Sequence, residues 1–448
     1  MNTREKIFSS IYDIVENNIF LNDVLLKYAF NEDNDKAFVK RSVSGVLENK
    51  ILIDFIIGKY SKTKHDKLDK KVYIVLLCAI YELLFMNSSK RYAVINEYVE
   101  IIKKQKTQFH ANFTNAVLRN ISRNENIDSL LDDKNIDATI KYSIPRDLYK
   151  YLKANINIDT DNIDKKIEEI FKYYHENNYI SFRINKYDDE TIDTIQQELT
   201  DKNIDYFIYD KSCKLTKLKC LMARNISSIS SLDCFNKGLI SVQDISSIYY
   251  IDKLYDIAKF ILPKDIRVLD ACASPGGKSL AFLTAFDEFN IDIYSCDKTE
   301  NKLTKIKENF ERLKPYLITK NINIQTNDAT TLNDDYINSF DIVMIDVPCS
   351  GLGIISKKQD IKYNFDINIT KDLIAIQKKI LDINKQYVKK DGYLCYSTCT
   401  ITKNENDELI SDFIKDNTNF EIVYKEQILS SQDNMSDGFY FCIMKRLS

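Results

Sequence analysis

The sequence predicts a multidomain protein in which an all-α bundle and a small α+β module precede a C-terminal doubly wound α/β domain. Three observations carry this prediction. Helical periodicity without any proline runs through residues 3–121, residues 142–247 mix helical and β-like runs, and from Ile266 onward short β-runs alternate with helices. The resulting boundaries are 1–130 for the bundle, 140–247 for the module and 248–448 for the α/β domain.

The bundle is predicted from apolar stripes at helical spacing, of which Ile7, Ile11 and Ile14 form one example. We expect the bundle to close near Arg123, because residues 124–137 are polar and helix-poor. In the following module, Pro145 opens a helix, and further elements are expected in this order: a strand at Tyr179–Ile184, a helix at Asp189–Thr200 and a strand at Tyr206–Ile208.

The α/β domain is predicted from five apolar runs of strand length. They are Ile266–Leu269, Ile291–Cys296, Ile322–Gln325, Phe340–Ile345 and Tyr393–Ser397. Helical stretches separate these runs, which is the pattern of a mainly parallel sheet with helices on its faces.

Composition narrows the class of protein. With 44% apolar and 29% charged residues, the chain has the make-up of a globular protein, and its net charge of −3 does not by itself demand a nucleic-acid partner.

The longest apolar run, Tyr73–Met86, contains Glu82 and is far shorter than the ~20 residues of a membrane span. Ten cysteines without a Cys-x-x-Cys pair, and only three histidines, predict reduced thiols and no metal site. We therefore expect a cytoplasmic protein without a membrane partner.

The segment Val268–Ser279 combines a buried strand with a loop of small residues that opens a helix. Ligands of open α/β sheets bind at such strand ends, and Gly276 and Gly277 permit close approach of the backbone. A phosphate-binding P-loop requires a glycine five positions before Gly277, where this chain has Cys272. The dinucleotide pattern Gly-x-Gly-x-x-Gly is absent as well.

Two aspartates follow the next two β-runs. Asp297 stands about 20 residues beyond the glycines, where a carboxylate can accept the hydroxyl groups of a ribose. The alternative is that Asp297 merely caps the helix that begins near Glu300. Asp328 follows the third β-run and is open to the same two interpretations.

Two cysteines lie just past strand ends on the face where a cofactor is expected. Cys349 follows Asp346 in Phe340–Gly353, and Cys399 closes the run that begins at Gly392. An isolated cysteine is more often a small buried apolar residue than a nucleophile, so position alone leaves both interpretations open.

Three motifs together resemble those of the RNA 5-methylcytosine methyltransferases: Ala273-Ser274-Pro275-Gly276-Gly277-Lys278, Asp346-Val347-Pro348-Cys349-Ser350-Gly351 and Ser397-Thr398-Cys399. The helical part resembles the NusB-like domain that some members carry, through Arg91–Lys103 and Phe113–Arg119. Further resemblances cover Phe182–Asn185, Gly238–Ser247 and the C-terminal Ser436–Phe441, so nearly the whole chain is included.

The resemblance implies a Rossmann-like class I methyltransferase domain behind an RNA-binding NusB-like bundle and an RNA-binding linker module. It implies Cys399 as the covalent nucleophile, Cys349 as the group that assists proton abstraction and elimination, and Asp346 as a ligand of the target cytosine. Lys278 is also expected to reach toward the target base. S-adenosyl-L-methionine is the implied cofactor, and the residues implied to bind it are Cys272, Ala273, Ser274, Pro275, Gly276, Gly277, Lys278, Asp297, Asp328 and Asp346.

The implied partner is 16S ribosomal RNA, free or at an early stage of assembly, and we expect a monomer. Departures from the family pattern are small, except that Ile355–Asn364 lacks the usual proline and tryptophan, which affects contacts on the side of the target base.

The alternative function is that of a non-catalytic RNA-binding protein. The joint presence of Cys349, Cys399 and Asp346 argues against it. An exocyclic-amine methyltransferase would have the pattern Asn/Asp-Pro-Pro-aromatic, whereas Asp346-Val347-Pro348-Cys349 provides a thiol at the last position. The catalytic residues themselves do not exclude DNA.

Overall fold

The computed structural model describes residues 2–28, 33–86, 90–124, 136–158, 162–209, 215–317 and 321–448. The chain forms two compact units. The first contains Met1–Ala154, Asn162–His175 and Ile355–Phe365, and the second contains Asn155–Asp161, Glu176–Ile354 and Asp366–Ser448.

The first unit is helical. Its helices are α1 (Thr3–Asn17), α2 (Leu21–Lys27), α3 (Asp33–Tyr60), α4 (Lys70–Phe85), α5 (Arg91–Gln105), α6 (Gln108–Ser122), α7 (Ala138–Lys141), α8 (Arg146–Asn155) and α9 (Ile163–Glu176). Helix α4 is buried along almost its whole length, from Val72 to Leu83, and packs among the other long helices. The predicted all-α bundle is thus confirmed. Of the predicted polar stretch at 124–137, residues 125–135 lie outside the described residues.

The segment Ile355–Phe365 belongs to this helical unit, although it lies in sequence between strands of the second unit. The Asp360 carboxylate accepts the backbone N–H of Leu21, the first residue of α2, at 3.1 Å. The Lys362 ammonium is buried and donates to the carbonyl oxygen of Glu48 at 2.8 Å. The stretch that departs from the family pattern therefore packs with helices of the first unit.

The second unit contains a small antiparallel sheet with strand order β2-β3-β1-β4. Its elements are β1 (Ile180–Ile184), α10 (Asp189–Asp201), β2 (Asp205–Tyr209), β3 (Lys219–Arg224), α11 (Asp233–Asn236) and β4 (Ile240–Val242). Phe182, Leu199 and Leu221 are fully buried in the core between sheet and helices. These elements match the predicted α+β module from Tyr179 onward, and the structure adds β3 and β4. The helix that Pro145 opens, α8, was predicted in the module but belongs almost entirely to the first unit.

A seven-stranded sheet forms the rest of the second unit, with the order β10-β11-β9-β8-β5-β6-β7. Its elements are α12 (Ile245–Ala258), β5 (Asp265–Asp270), α13 (Gly277–Ala285), β6 (Asn290–Asp297), α14 (Glu300–Leu313), β7 (Asn321–Thr326), β8 (Phe340–Asp346), α15 (Ile367–Asn384), β9 (Val388–Thr398), α16 (Asp407–Asp416), β10 (Phe420–Ile428) and β11 (Phe439–Arg446).

The five predicted β-runs are the parallel strands β5 to β9, while β10 and β11 are antiparallel additions at one edge. The predicted Rossmann-like sheet is confirmed. Strand order reverses between β5 and β8, so the carboxyl ends of these two strands form the crevice where such sheets bind ligands. Among the described residues, no helix combines the length and apolar content needed to cross a membrane.

Candidate active site

A cavity of about 370 Å³ opens at the carboxyl ends of β5, β6 and β8. Five predicted site residues line it: Cys272, Ser274, Asp297, Asp328 and Asp346. The other lining residues are Ala271, Lys298, Lys302, Asn327, Ala329, Thr330, Pro348, Ile376 and Ile380. A volume of this order and a mixed apolar and carboxylate lining suit a small organic ligand with several polar groups.

Asp297, the last residue of β6, is only 4% exposed. Its carboxylate accepts the backbone N–H of Ser274 at 3.1 Å, the N–H of Lys298 at 2.7 Å and the Lys302 ammonium at 2.8 Å. Helix α14 has Thr299 at its N-cap, without a side-chain cap bond. Asp297 therefore does not cap that helix but ties the glycine-containing loop to the end of β6.

Asp328 lies across the same cavity and is held rigidly. One carboxylate oxygen accepts the hydroxyl of Thr330 at 2.7 Å and its N–H at 3.0 Å, and the other oxygen lies 3.0 Å from the Lys298 ammonium. These hydrogen bonds, chiefly that from the Thr330 hydroxyl, lower the pKa of Asp328 to about 2. The carboxylate is therefore a charged acceptor at neutral pH.

A second cavity, of about 160 Å³, adjoins the same loop and is lined by Ala273, Pro275, Gly277 and Lys278 as well as by Cys272, Ser274 and Asp346. Gly276 lines neither cavity. It stands at the N-cap of α13 with φ +99°, and a Cβ there would lie 3.4 Å from the Phe310 ring. Gly276 thus allows the left-handed turn that brings the loop to the helix.

The second cavity also contains two polar groups that motif reading did not single out, Asp270 and Gln243. Among the described residues, Asp270 Oδ1 and Gln243 Nε2 are buried without a hydrogen-bond partner. Burial raises the pKa of Asp270 to about 7, against the lowering effect of the hydrogen bond from Ser279. Asp270 ends β5, so the strand-end argument used for Asp297 could have found it.

Asp346, which lines both cavities, forms a partly buried ion pair with Lys278. The Lys278 ammonium lies 2.6 Å from Asp346 Oδ2, and Ser397 donates its hydroxyl to Asp346 Oδ1 at 2.9 Å. Burial opposes the charge on Lys278, but attraction to Asp346 outweighs it and raises the pKa of Lys278. The same ammonium lies 5.2 Å from the centre of the Phe439 ring. This pair offers one donor and one acceptor to a ligand.

The two predicted active-site cysteines are brought together, with Cys349 Sγ 3.3 Å from Cys399 Sγ. They follow the adjacent parallel strands β8 and β9, in which Asp346 is in register with Ser397. The hydrogen bond with Cys399, followed by burial, raises the pKa of Cys349 well above its ordinary value. The structure thus brings the two thiols of the cysteine motifs into direct contact.

Glu405, which the sequence did not single out, holds the loop that carries Cys349. Its fully buried carboxylate accepts the backbone N–H of Ser350 at 2.8 Å, the Ser350 hydroxyl and the Thr402 hydroxyl at 2.9 Å. Glu405 lies 55 residues beyond Ser350. No local motif predicts a contact over that separation.

Glycines allow two loops to meet beside Cys399. A Cβ on Gly353 would lie 2.1 Å from the carbonyl oxygen of Gly438 and 2.8 Å from that of Cys399. The Gly353 N–H donates to the Cys399 carbonyl oxygen at 3.0 Å, and the Gly438 N–H donates to Gly353 at 2.9 Å. The backbone that follows Cys349 is thus fastened to the end of β9.

Solved structures share this fold. The crystal structure of PH0851 aligns with a TM-score of 0.73 and 18% identity, covering 100% of this chain and 99% of that one. The structure of NSun6 from Pyrococcus horikoshii with SFG aligns with a TM-score of 0.53 and 16% identity, covering 68% of this chain and 98% of that one. At these identities the likeness concerns the fold.

Family models match both parts of the chain. Residues 261–444 match the family described as 16S rRNA methyltransferase RsmB/F, and residues 1–123 match the NusB family. The second match agrees with the helical fold of the first unit.

Curated relatives extend over nearly the whole chain. The probable ribosomal RNA small subunit methyltransferase B of Bacillus subtilis (strain 168) is 30% identical over 415 residues, which are 91% of this chain and 87% of that protein. The ribosomal RNA small subunit methyltransferase B of Shewanella oneidensis is 27% identical over 458 residues, 98% of each chain. This chain therefore belongs to the ribosomal RNA small subunit methyltransferase B family and is an RNA methyltransferase with an N-terminal NusB-like domain.

Proposed function

We propose that this enzyme transfers a methyl group from S-adenosyl-L-methionine to carbon 5 of one cytosine in 16S ribosomal RNA, through a covalent bond between Cys399 and carbon 6. The observation that carries the proposal is the pair of thiols 3.3 Å apart beside the ion pair of Lys278 and Asp346. Methylation of an exocyclic amine needs no thiol, whereas methylation of carbon 5 needs one.

The two adjoining cavities fit this cofactor. The unpartnered Asp270 carboxylate oxygen is suited to the ammonium group of the methionine part, and the backbone of Cys272–Lys278 provides the surrounding loop. Asp297 and Asp328 line the larger cavity, and we assign Asp297 to the ribose hydroxyls and Asp328 to the adenine end. When bound, the cofactor supplies the methyl group.

The chemistry of cytosine explains the need for Cys399. Carbon 5 is too weak a nucleophile on its own, so the Cys399 thiolate first forms a bond to carbon 6. The electron pair of the former C5–C6 double bond then makes carbon 5 nucleophilic. In this proposal Asp346 holds N3 or the exocyclic amine, and the Lys278 ammonium faces the base, where its positive charge balances the negative charge that attack on carbon 6 sends into the ring.

Cys349 acts after methylation. The proton on carbon 5 must leave, its electron pair re-forms the C5–C6 double bond, and the bond to Cys399 breaks with release of the thiolate. Cys349 is held 3.3 Å from Cys399 by the loop that Glu405 fastens, so it lies beside the reacting bond. We propose that it assists this proton abstraction and elimination.

The remaining parts serve the RNA. A base within a stem must be flipped out or presented single-stranded to reach these groups. We propose that residues 1–130 and 140–247 bind the RNA and that residues 248–448 carry the chemistry. We further propose that the enzyme is a cytoplasmic monomer that acts on free or early-assembly 16S RNA.

The test is product identification. The purified enzyme is incubated with unmodified 16S RNA and S-adenosylmethionine carrying an isotope-labelled methyl group, and the RNA is digested to nucleosides for mass spectrometry. We expect labelled 5-methylcytidine, with Cys395→Ala as a control that keeps activity because Cys395 is a buried core residue. Label on a nitrogen atom, or none at all, would contradict the proposal.

A further inference from the structure

A third cavity in the second unit, of about 310 Å³, lies apart from the two described above. It is enclosed by the start of α12, the end of β10 and the segment that leads into β11. Its lining residues are Ile245, Ser246, Tyr249, Tyr424, Glu426, Gln427, Ile428, Leu429, Asn434 and Ser436. None of them belongs to the cofactor or cysteine motifs.

Several side chains in the wall of this cavity can form hydrogen bonds. The Tyr249 and Tyr424 hydroxyls lie 3.3 Å apart, and both donate to Glu426 Oε2, at 3.1 and 2.5 Å. The hydroxyl of Ser436 is buried without a partner among the described residues, in a side chain that is 2% exposed. A buried polar group without a partner costs free energy, which a bound ligand would recover.

The same wall is fastened to the active site. Gln427 donates to the carbonyl oxygen of Thr400, the residue after Cys399, at 3.3 Å, and to that of Phe439 at 3.0 Å. The Phe439 ring lies under the Lys278 ammonium. The cavity wall is therefore bonded directly to the residue that follows Cys399, the cysteine that we propose attacks the target base.

Stacking on Tyr424 is excluded by its neighbours, since its ring packs with Phe441 at 5.7 Å and the Lys253 ammonium lies 4.7 Å from its centre. Recognition must therefore come from the hydroxyl and carboxylate edge. A carboxylate favours ligands that donate hydrogen bonds, such as ribose hydroxyls or base amino groups, and RNA offers both.

We propose that this cavity binds a nucleotide adjacent to the target cytosine, with Glu426 accepting a hydrogen bond from its ribose or base and Ser436 bonding the same nucleotide. The inference rests on the proposed function. It makes the cavity a subsite that selects the sequence or the sugar next to the modified base.

The test compares Glu426→Gln and Ser436→Ala with Glu421→Gln, an exposed control on the same strand β10. We expect KM for RNA to rise about 10- to 100-fold in Glu426→Gln and about 3- to 10-fold in Ser436→Ala, since a charged acceptor is worth more than a neutral one. The control should retain the wild-type KM. Cofactor affinity by calorimetry and melting temperature should stay near wild type, which excludes misfolding as the cause.

Modified RNA separates the two kinds of ligand group. Each nucleotide beside the mapped target is replaced in turn by its 2′-deoxy form or by a base without its amino group. One replacement should raise KM for the wild type and have little further effect in Glu426→Gln. Unchanged KM in both variants, with 5-methylcytidine still made by the wild type, would overturn this inference alone. A wild type that makes no 5-methylcytidine would overturn the proposed function, and this inference with it.

Discussion

Cys349 and Cys399 face each other with their sulfur atoms 3.3 Å apart, at the ends of two neighbouring parallel strands. The hydrogen bond with Cys399, followed by burial, raises the pKa of Cys349 well above its ordinary value. The pair is thus asymmetric. In the proposed reaction Cys399 attacks the base and Cys349 assists release of the product, so the two thiols can be tested separately.

Replacing Cys349 should separate attack from release. In Cys349→Ala, Cys399 can still add to carbon 6, but elimination stalls, so we expect a covalent protein–RNA complex. A denaturing gel detects it as a band of reduced mobility in the presence of RNA and cofactor. Cys442→Ala, which changes a buried cysteine of β11, should give no such band. Full turnover by Cys349→Ala without any complex would argue against this role.

The carboxylate of Asp297 should matter for the cofactor. Asp297→Ala removes the proposed acceptor of the ribose hydroxyls, and we expect S-adenosylmethionine binding to weaken by ~1–3 kcal/mol. Because Asp297 also bonds Ser274, the milder Asp297→Asn should weaken binding with a smaller effect on the loop. Titration calorimetry measures both, and Asp292→Asn, at the other end of β6, serves as control. Unchanged affinity with a lowered melting temperature would leave Asp297 with a structural role only.

Glu405 should act as a positioning residue. Glu405→Gln keeps the shape of the side chain but replaces one of the two acceptor oxygens that hold Ser350 and Thr402 with a donor and removes the negative charge, so the loop of Cys349 is held less firmly. We expect kcat to fall about 10-fold or more, while KM for RNA and cofactor affinity change little. Glu408→Gln, with an exposed carboxylate on α16, should leave kcat unchanged. Equal losses of kcat and cofactor affinity would indicate a general disruption instead.

The buried carboxyl of Asp270 predicts a pH dependence. Its pKa is raised to about 7, so without cofactor the folded protein binds a proton that the unfolded chain releases near the ordinary value of 3.8. Its contribution to stability is therefore complete below about pH 3.8 and is lost as the pH rises through about 7. As the pH rises from 5 to 8, the melting temperature of the wild type should therefore fall relative to that of Asp270→Asn.

Cofactor binding should show the opposite trend at the same residue. A bound ammonium group favours the ionised carboxylate, so wild-type affinity should rise as the pH increases from 6 to 8, by up to about tenfold per unit below pH 7. Asp270→Asn should bind more weakly and with a flatter profile. Calorimetry across this range checks both points. Parallel profiles for the two proteins would show that Asp270 does not meet the ammonium group.

The sequence predicted the central strands well because a buried parallel strand is a continuous apolar run. Strand β10 was missed, since it lies at the sheet edge and exposes Ile422 and Val423 among charged residues. Strand β3 was missed as well. It begins with Lys219 and ends with Arg224, so its buried apolar middle is too short to show a clear strand pattern. Strands that are only partly buried thus show a weak pattern of apolar residues in the sequence.

In the candidate site, motifs at strand ends identified the aspartates and both thiols, because parallel strands bring their carboxyl ends to one edge. Distances between them could not be predicted. Glu405 holds Ser350 across 55 residues of sequence, and only the folded chain shows this contact or the place of Gln243 in the second cavity. The same holds for the segment Ile355–Phe365, whose place in the helical unit no local pattern indicates.

The proposed mechanism is tested most sharply by identifying the residue that forms the covalent bond to the target base. RNA carrying 5-fluorocytidine at the mapped target should trap the adduct, because fluorine cannot leave as a proton does. Digestion and mass spectrometry then locate the nucleotide. We predict that it is attached to Cys399, and that Cys399→Ala shows no adduct and no methyl transfer while binding S-adenosylmethionine with nearly wild-type affinity. Attachment to Cys349, or measurable turnover by Cys399→Ala, would contradict the proposal that Cys399 is the nucleophile.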